Sequence, residues 1–255
     1  MESLSSGIQY RHWPVQDAKA CILLMHGLAE HTGRYERLAA YFNARNIAVV
    51  GPDHIGHGAS PGTRAHVTQF SDYLVPLIEL RDAISGWYPD TPIFTLGHSM
   101  GGLIAAHLLL QEAQSDRGAM FSGPAFAADE VVSPVTLWLG RLLRAVLPKI
   151  GMMSLEASQI SRDPAVVADY IADPLVYNGK ITAALGMELL SAMSDAISGA
   201  QHITLPVYIA HGEADVMAMP DGSRAFFQAL GSQDKTLDWW PDLYHEIFNE
   251  PESEA

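Results

Sequence analysis

At 255 residues and 27.7 kDa, with 48% hydrophobic side chains, the chain is long enough to bury one large core. Its formal charge of -14 and pI near 5, with no basic cluster to offset them, exclude nucleic acid as a partner. The start, Met1 to Gly7, carries no basic stretch leading into an apolar run, and no segment reaches the about 18 apolar residues of a membrane span, so a soluble cytoplasmic protein is expected, at most peripheral at membranes.

Short apolar runs alternate with longer stretches of helical spacing. Cys21 to Met25 reads as the first buried strand, and the lone Cys21 within it as a small buried hydrophobe that has no disulfide partner. A helix over Arg34 to Arg45 and a strand over Ile47 to Val50 follow. Behind that strand, Asp53-His54-Ile55-Gly56-His57-Gly58 has the glycine spacing of a turn; its two histidines and aspartate lack the second ligand set that a metal would need, and no metal or cofactor is required. Next come a helix over Val67 to Trp87, a strand over Pro92 to Leu96, a helix over Met100 to Gln114 and a strand over Ala119 to Ser122. Pro206 to Ala210, Asp221 to Leu230 and Thr236 to Trp240 supply a strand, a helix and a last strand. Strands alternating with helices imply an α/β fold with a mostly parallel central sheet and helices on both faces.

Residues 127–202 break the alternation and far exceed a loop of about 12 to 15 residues, so they carry structure of their own. The expected organisation is a core of 1–126 and 203–255 interrupted by a helical cap. Within the cap, Trp138, Leu139, Leu142, Leu143, Val146 and Leu147 form an apolar helix face opposite Arg141 and Arg144. That face either shields an apolar pocket or packs into a core.

The pattern Gly97-His98-Ser99-Met100-Gly101 arises easily by chance, but here it lies between a strand and a helix. That is the setting of a nucleophile elbow in the α/β-hydrolase fold, where glycines relieve crowding and the serine hydroxyl stands at a helix N-terminus. Serine attacks only when a base takes its proton, and this fold places an acid and then a histidine later in the chain. Asp215 lies just beyond the strand at Pro206 to Ala210, with Glu213 and Asp221 as the rival acids; His245 is the only histidine after Asp215. Ser99, His245 and Asp215 are thus the expected nucleophile, base and orienting acid. The oxyanion needs preorganised donors, expected from the backbone N–H of Met100 and of Leu28 in the loop after the first strand.

The runs from His26 to Tyr35, from Asp53 to Ser60 and from Gly97 to Gly102, with Ser161-Arg162-Asp163-Pro164, Asp173-Pro174-Leu175 and Gln233 to Leu237, together resemble the monoacylglycerol lipase family over nearly the whole chain. The resemblance implies hydrolysis of monoacylglycerols or related lipid esters, an acyl tunnel beneath the cap and a small polar pocket for the glycerol head. It also implies that Glu30 and Arg34 line or buttress that pocket and that Tyr170 reaches the glycerol. Read from spacing alone, Glu30 and Arg34 are equally a surface ion pair, and Met152, Met153, Met187 and Met193 suit either the tunnel or an ordinary core. The family continues into a final helix where this sequence ends, at Asn249 to Ala255. Three other functions fit the same residues: a carboxylesterase on short or aromatic, feruloyl-type esters, a hydrolase-fold receptor with little turnover, and a cap that docks a protein or a membrane surface.

Overall fold

The computed structural model describes residues 1–111, 116–127 and 134–253. In chain order its strands are β1 (Glu2–Ser3), β2 (Gln9–Trp13), β3 (Ala20–Met25), β4 (Ile47–Pro52), β5 (Ile93–His98), β6 (Gly118–Ser122), β7 (Gly151–Met153), β8 (Ile181–Thr182), β9 (Val207–Gly212) and β10 (Lys235–Trp240). The α-helices are α1 (Glu36–Asn43), α2 (Leu74–Trp87), α3 (Met100–Gln111), α4 (Pro134–Val146), α5 (Pro164–Ala172), α6 (Ala183–Gly199) and α7 (Pro220–Ala229). The last three residues of the helix expected to reach Gln114, and residues 128–133 at the start of the expected cap, lie outside the described residues.

Eight strands form one sheet in the order β1-β2-β4-β3-β5-β6-β9-β10. From β4 to β10 every neighbouring pair is parallel, whereas β1 and β2 are antiparallel additions at one edge. This is the α/β-hydrolase fold. β3 sits near the middle and all six of its residues are buried, because a parallel strand covered on both faces has no polar side. Leu23 and Met25 join Leu77, Leu80, Ile104 and Leu108 in the main core, while Ile22 and Leu24 pack with Tyr35, Ala39 and Val49 on the opposite face.

The antiparallel edge is absent from the sequence reading. In β2, Tyr10 is buried and His12 stacks on Trp87 at 4.7 Å, so a strand with little apolar alternation is held by pairing to β4.

The segment between β6 and β9 holds α4, α5, α6 and the small β7–β8 pair. Its helix starts are set locally: Asp163 caps α5 by accepting from the Ala165 N–H at 2.8 Å, with Pro164 in the first turn, and Thr182 caps α6 through the Leu185 N–H. α6 faces two ways. Leu185, Ala192 and Ala196 belong to the main core, whereas α4 crosses the helix further out, at Gly140 and Met187.

The apolar stripe of α4 points away from the protein, contrary to both readings of it from sequence. Trp138 is 63% exposed and Val146 66%, and Leu139, Leu142 and Leu147 are exposed as well. Among the described side-chain positions of this helix Gly140 is the buried one, and Arg144 pairs with Glu188 on α6. The small Gly140 and the ion pair let the helix sit against α6 by its less apolar side. Among the described residues no helix is long and apolar enough to cross a membrane.

Candidate active site

β5 ends at His98 and α3 begins at Met100, leaving Ser99 alone at the turn. Its φ of +54° is a left-handed conformation that costs a non-glycine residue about 1–3 kcal/mol. Tertiary hydrogen bonds hold it there. The Ser99 N–H donates to the Ser122 carbonyl at 3.0 Å, and the Ser99 carbonyl accepts from Gly102 at 2.9 Å and Ala125 at 3.1 Å. A Cβ on Gly97 would strike the Gly101 carbonyl, and one on Gly101 would strike the Met25 carbonyl. Both glycines therefore let α3 start directly against β3 and β5.

The register Gly212↔Trp240 brings the loops after β9 and β10 together, and each presents one member of an ion pair. Asp215 Oδ2 accepts from His245 Nδ1 at 2.7 Å, which leaves the other ring nitrogen, Nε2, free to take a proton. The Asp215 carboxylate is filled by three further donors: Met217 N–H at 2.7 Å, Ala218 N–H at 3.0 Å and His211 Nε2 at 3.1 Å. Burial opposes ionisation of Asp215, but His245 and His211 outweigh it and hold the carboxyl well below the usual range. Burial also works against a charged His245, and Asp215 reverses this, raising the imidazole above its ordinary 6.5. The rival acids Glu213 and Asp221 are both exposed.

His98 packs against His245 with ring centroids 4.7 Å apart. Burial first, and the neighbouring His245 second, push it down to about 4, so it stands there as a neutral ring whose Nδ1–H donates to the Ser122 carbonyl at 2.9 Å.

The loop after β3 is fixed from behind. His26 Nε2 accepts from the His54 N–H at 2.9 Å, so its Nδ1 carries the proton and donates to the Gly27 carbonyl at 2.7 Å. That carbonyl belongs to the peptide whose N–H is Leu28's. Neither the Leu28 nor the Met100 N–H meets an acceptor among the described residues. Asp53, in the turn read from the glycine spacing after β4, accepts from Thr32 N–H, the Thr32 hydroxyl and Ala59 N–H, so it knots two turns together.

Glu30 is buried rather than on the surface. Its Oε1 accepts from Gly27 N–H and from the Tyr35 hydroxyl, both at 2.6 Å, and its Oε2 from Arg34 at 2.8 Å. Burial raises its pKa, yet Arg34, with His98, His26 and Tyr35, brings it down to about 2. Arg34 also grips both oxygens of Glu246, at 2.5 and 2.8 Å, and lies 4.7 Å over the Tyr170 ring.

One cavity of about 870 Å³ gathers most of these groups. Ser99, His245, Leu28, Met100, Glu30 and Tyr170 line it; Arg34 and Asp215 stand one layer behind. All four methionines singled out from the sequence, Met152, Met153, Met187 and Met193, line it too. Two participants escaped sequence reading. Glu246 lines the cavity next to His245, and His211, four residues before Asp215, holds that carboxylate. Their only signal was adjacency to the expected pair.

Residues 16–252 match the family model described as Hydrolase_4, serine aminopeptidase, S33. A monoacylglycerol lipase of Mycolicibacterium smegmatis is 37% identical over 96% of this chain and 88% of its own length. The human monoglyceride lipase is 32% identical over 94% of this chain and 80% of its own. The crystal structure of the Paleococcus ferrophilus monoacylglycerol lipase superposes with a TM-score of 0.86 at 32% identity, covering 97% of this chain and 94% of that one. With this similarity spanning core and insertion alike, the chain belongs to the monoacylglycerol lipase family of serine hydrolases.

Proposed function

We propose that the protein hydrolyses monoacylglycerols to a fatty acid and glycerol through an acyl-enzyme on Ser99. The observation that carries this reading is the make-up of one cavity. It combines Ser99 and His245 with the carboxylates of Glu30 and Glu246 and with a wall of aliphatic and thioether side chains. A glycerol ester has the same two-part chemistry: hydroxyls for carboxylates to accept from, and an acyl chain for an apolar wall.

In this mechanism Ser99 Oγ attacks the ester carbonyl carbon while His245 Nε2 takes the hydroxyl proton. Asp215 fixes the imidazole tautomer and stabilises the imidazolium. The carbonyl oxygen, now an oxyanion, is held by the Leu28 and Met100 N–H groups, whose lack of other acceptors leaves them available. Collapse of the adduct breaks the bond to the glycerol oxygen, which receives the proton from His245. Water then attacks the acyl-serine, giving its proton to His245, and the fatty acid leaves as Ser99 is regenerated. Glu30 and Glu246 receive the glycerol hydroxyls, Arg34 holds both carboxylates in place, and Tyr170 closes that side of the pocket.

Among the described residues Tyr170 is the only aromatic side chain in the cavity wall apart from histidine. This favours aliphatic acyl chains over feruloyl-type acids. Residues 127–202 act as the cap over this cavity, and its exposed α4 face rests on the lipid surface that supplies the substrate.

A fluorophosphonate probe should label Ser99 in the folded protein, and purified enzyme should release fatty acid from monoacylglycerols faster than ferulate from feruloyl esters. Absence of label on the Ser99 peptide would refute the nucleophile, and preference for feruloyl esters would refute the substrate.

A further inference from the structure

Of the 21 glycines, most stand where a side chain would collide or where the backbone turns left-handed. Gly86 and Gly186 do neither: a Cβ added at either meets nothing within 4 Å, and neither has a positive φ. Both lie within helices, where glycine is the poorest residue after proline because it leaves the unfolded backbone more freedom than alanine does. Gly86 is exposed near the end of α2, where the cost of fraying is small. Gly186 is the fourth residue of the 17-residue α6 and lines the cavity.

The open space at Gly186 is therefore cavity space. On α6 the cavity lining includes Ala183, Gly186, Met187, Leu190 and Met193, at the three- and four-residue spacing of one helix side, with Leu189 at its margin. Gly186 stands between the small Ala183 and the unbranched Met187, so this part of the face is open at Gly186. Gly140 on the facing α4 completes the arrangement, since a Cβ there would press on the Sδ of Met187, a cavity-lining side chain.

We propose that Gly186 determines acyl-chain length: its missing side chain is the passage through which the distal part of a long acyl chain runs, kept open at a cost in helix stability. This rests on the assignment of the cavity as the acyl site. Packing alone supplies no reason for glycine here, so adding a side chain should improve the fold while narrowing the substrate range.

The test pairs Gly186→Ala and Gly186→Leu with Gly86→Ala and Gly86→Leu, using p-nitrophenyl esters from four to eighteen acyl carbons beside the matching monoacylglycerols. Gly186→Ala should melt about 2–4 °C above the parent, and Gly86→Ala, near a helix end, by less. Gly186→Leu should lower kcat/KM for the longest ester relative to the shortest by at least about tenfold, and Gly186→Ala by less; a hydrophobic site rejects misfits on this scale. The Gly86 variants should keep the parental chain-length profile. Folding of Gly186→Leu is read independently from its melting curve and from fluorophosphonate labelling of Ser99. A folded Gly186→Leu with the parental profile, or with equal loss on all chain lengths, overturns the proposal. A parent that shows the chain-length effect on p-nitrophenyl esters but fails on every monoacylglycerol would instead overturn the head-group assignment and leave the role of Gly186 supported.

Discussion

Arg34 holds Glu246 through both arms of its guanidinium, Nη1 to Oε1 at 2.5 Å and Nη2 to Oε2 at 2.8 Å. Because Glu246 directly follows His245 and Arg34 also grips Glu30, this one side chain ties the base-bearing loop to the loop after β3. The three side chains are nearly buried, at 11%, 4% and 6% exposure for Arg34, Glu30 and Glu246, so removing the cation would leave two buried carboxylates with neutral hydrogen-bond donors but no counter-charge. Arg34→Ala should destabilise the fold by about 3–5 kcal/mol in urea unfolding. Arg34→Lys keeps the charge but loses the fork, and should lower kcat while costing less stability. If Arg34→Ala unfolds like the parent, the clamp has no structural weight.

The Asp215–His245 pair sets the pH dependence. His245 is raised above 6.5, so its base form appears only as pH climbs past that raised value, and the acid limb of kcat/KM should lie above 6.5. Asp215→Asn removes the stabilising charge. Burial then dominates, the imidazole pKa falls, and the acid limb should move to lower pH while kcat drops by about 10⁴-fold. Stability carries the same signature with opposite ends. The His245 contribution is complete below 6.5 and fades as pH rises through its raised value, whereas the Asp215 contribution is complete above 3.8 and fades as pH falls through its depressed value. The stability gap between parent and Asp215→Asn should therefore be widest from pH 3.8 to 6.5. A gap that does not vary with pH would contradict the linkage.

His26 orients the peptide that carries the Leu28 N–H, because its two ring nitrogens bridge the His54 N–H and the Gly27 carbonyl. It is a positioning residue, out of reach of substrate. His26→Leu keeps the bulk and removes both bonds, and should cut kcat by up to about 10²-fold, the lower end of the loss seen when an oxyanion donor is deleted, with KM little changed. A loss confined to KM would show that the loop serves binding rather than the oxyanion.

These residues also mark how far a sequence can be read. β3 was legible because a strand buried on both faces leaves an unbroken apolar run, and Ser99 because its elbow needs glycines at fixed offsets. β2 was not, since His12 stacks on Trp87 and both His12 and Trp13 pair with β4, far along the chain. The Arg34–Glu246 clamp joins residues 212 apart, and no local pattern encodes such a distance. The α4 stripe shows a subtler limit. Its period fixes a helix with one apolar side, but which way that side points depends on the surface beneath it, and Gly140 and Arg144 decide that here.

The outward stripe has a measurable consequence. Trp138, Leu142 and Val146 recur every four residues on the exposed side of α4, and Leu147, Ile150 and Met153 extend the patch toward β7. Large apolar side chains repeated on the water-facing side of a helix are what the proposed lipid contact requires. Arg141 and Lys149 are exposed nearby, whereas Arg144 is paired with Glu188 on α6. Burying a large apolar side chain contributes about 1.5–3 kcal/mol, and tenfold in affinity is about 1.4 kcal/mol. Trp138→Glu combined with Leu142→Asp should therefore weaken flotation with phosphatidylcholine vesicles well over tenfold. Hydrolysis of a soluble short-chain ester should be unchanged, because neither side chain lines the cavity. Binding of the parent should survive high salt, since area rather than charge supplies most of it. Equal flotation of variant and parent would show that the stripe is not the lipid contact, and salt-sensitive binding would assign the contact to basic side chains such as Arg141 and Lys149 instead.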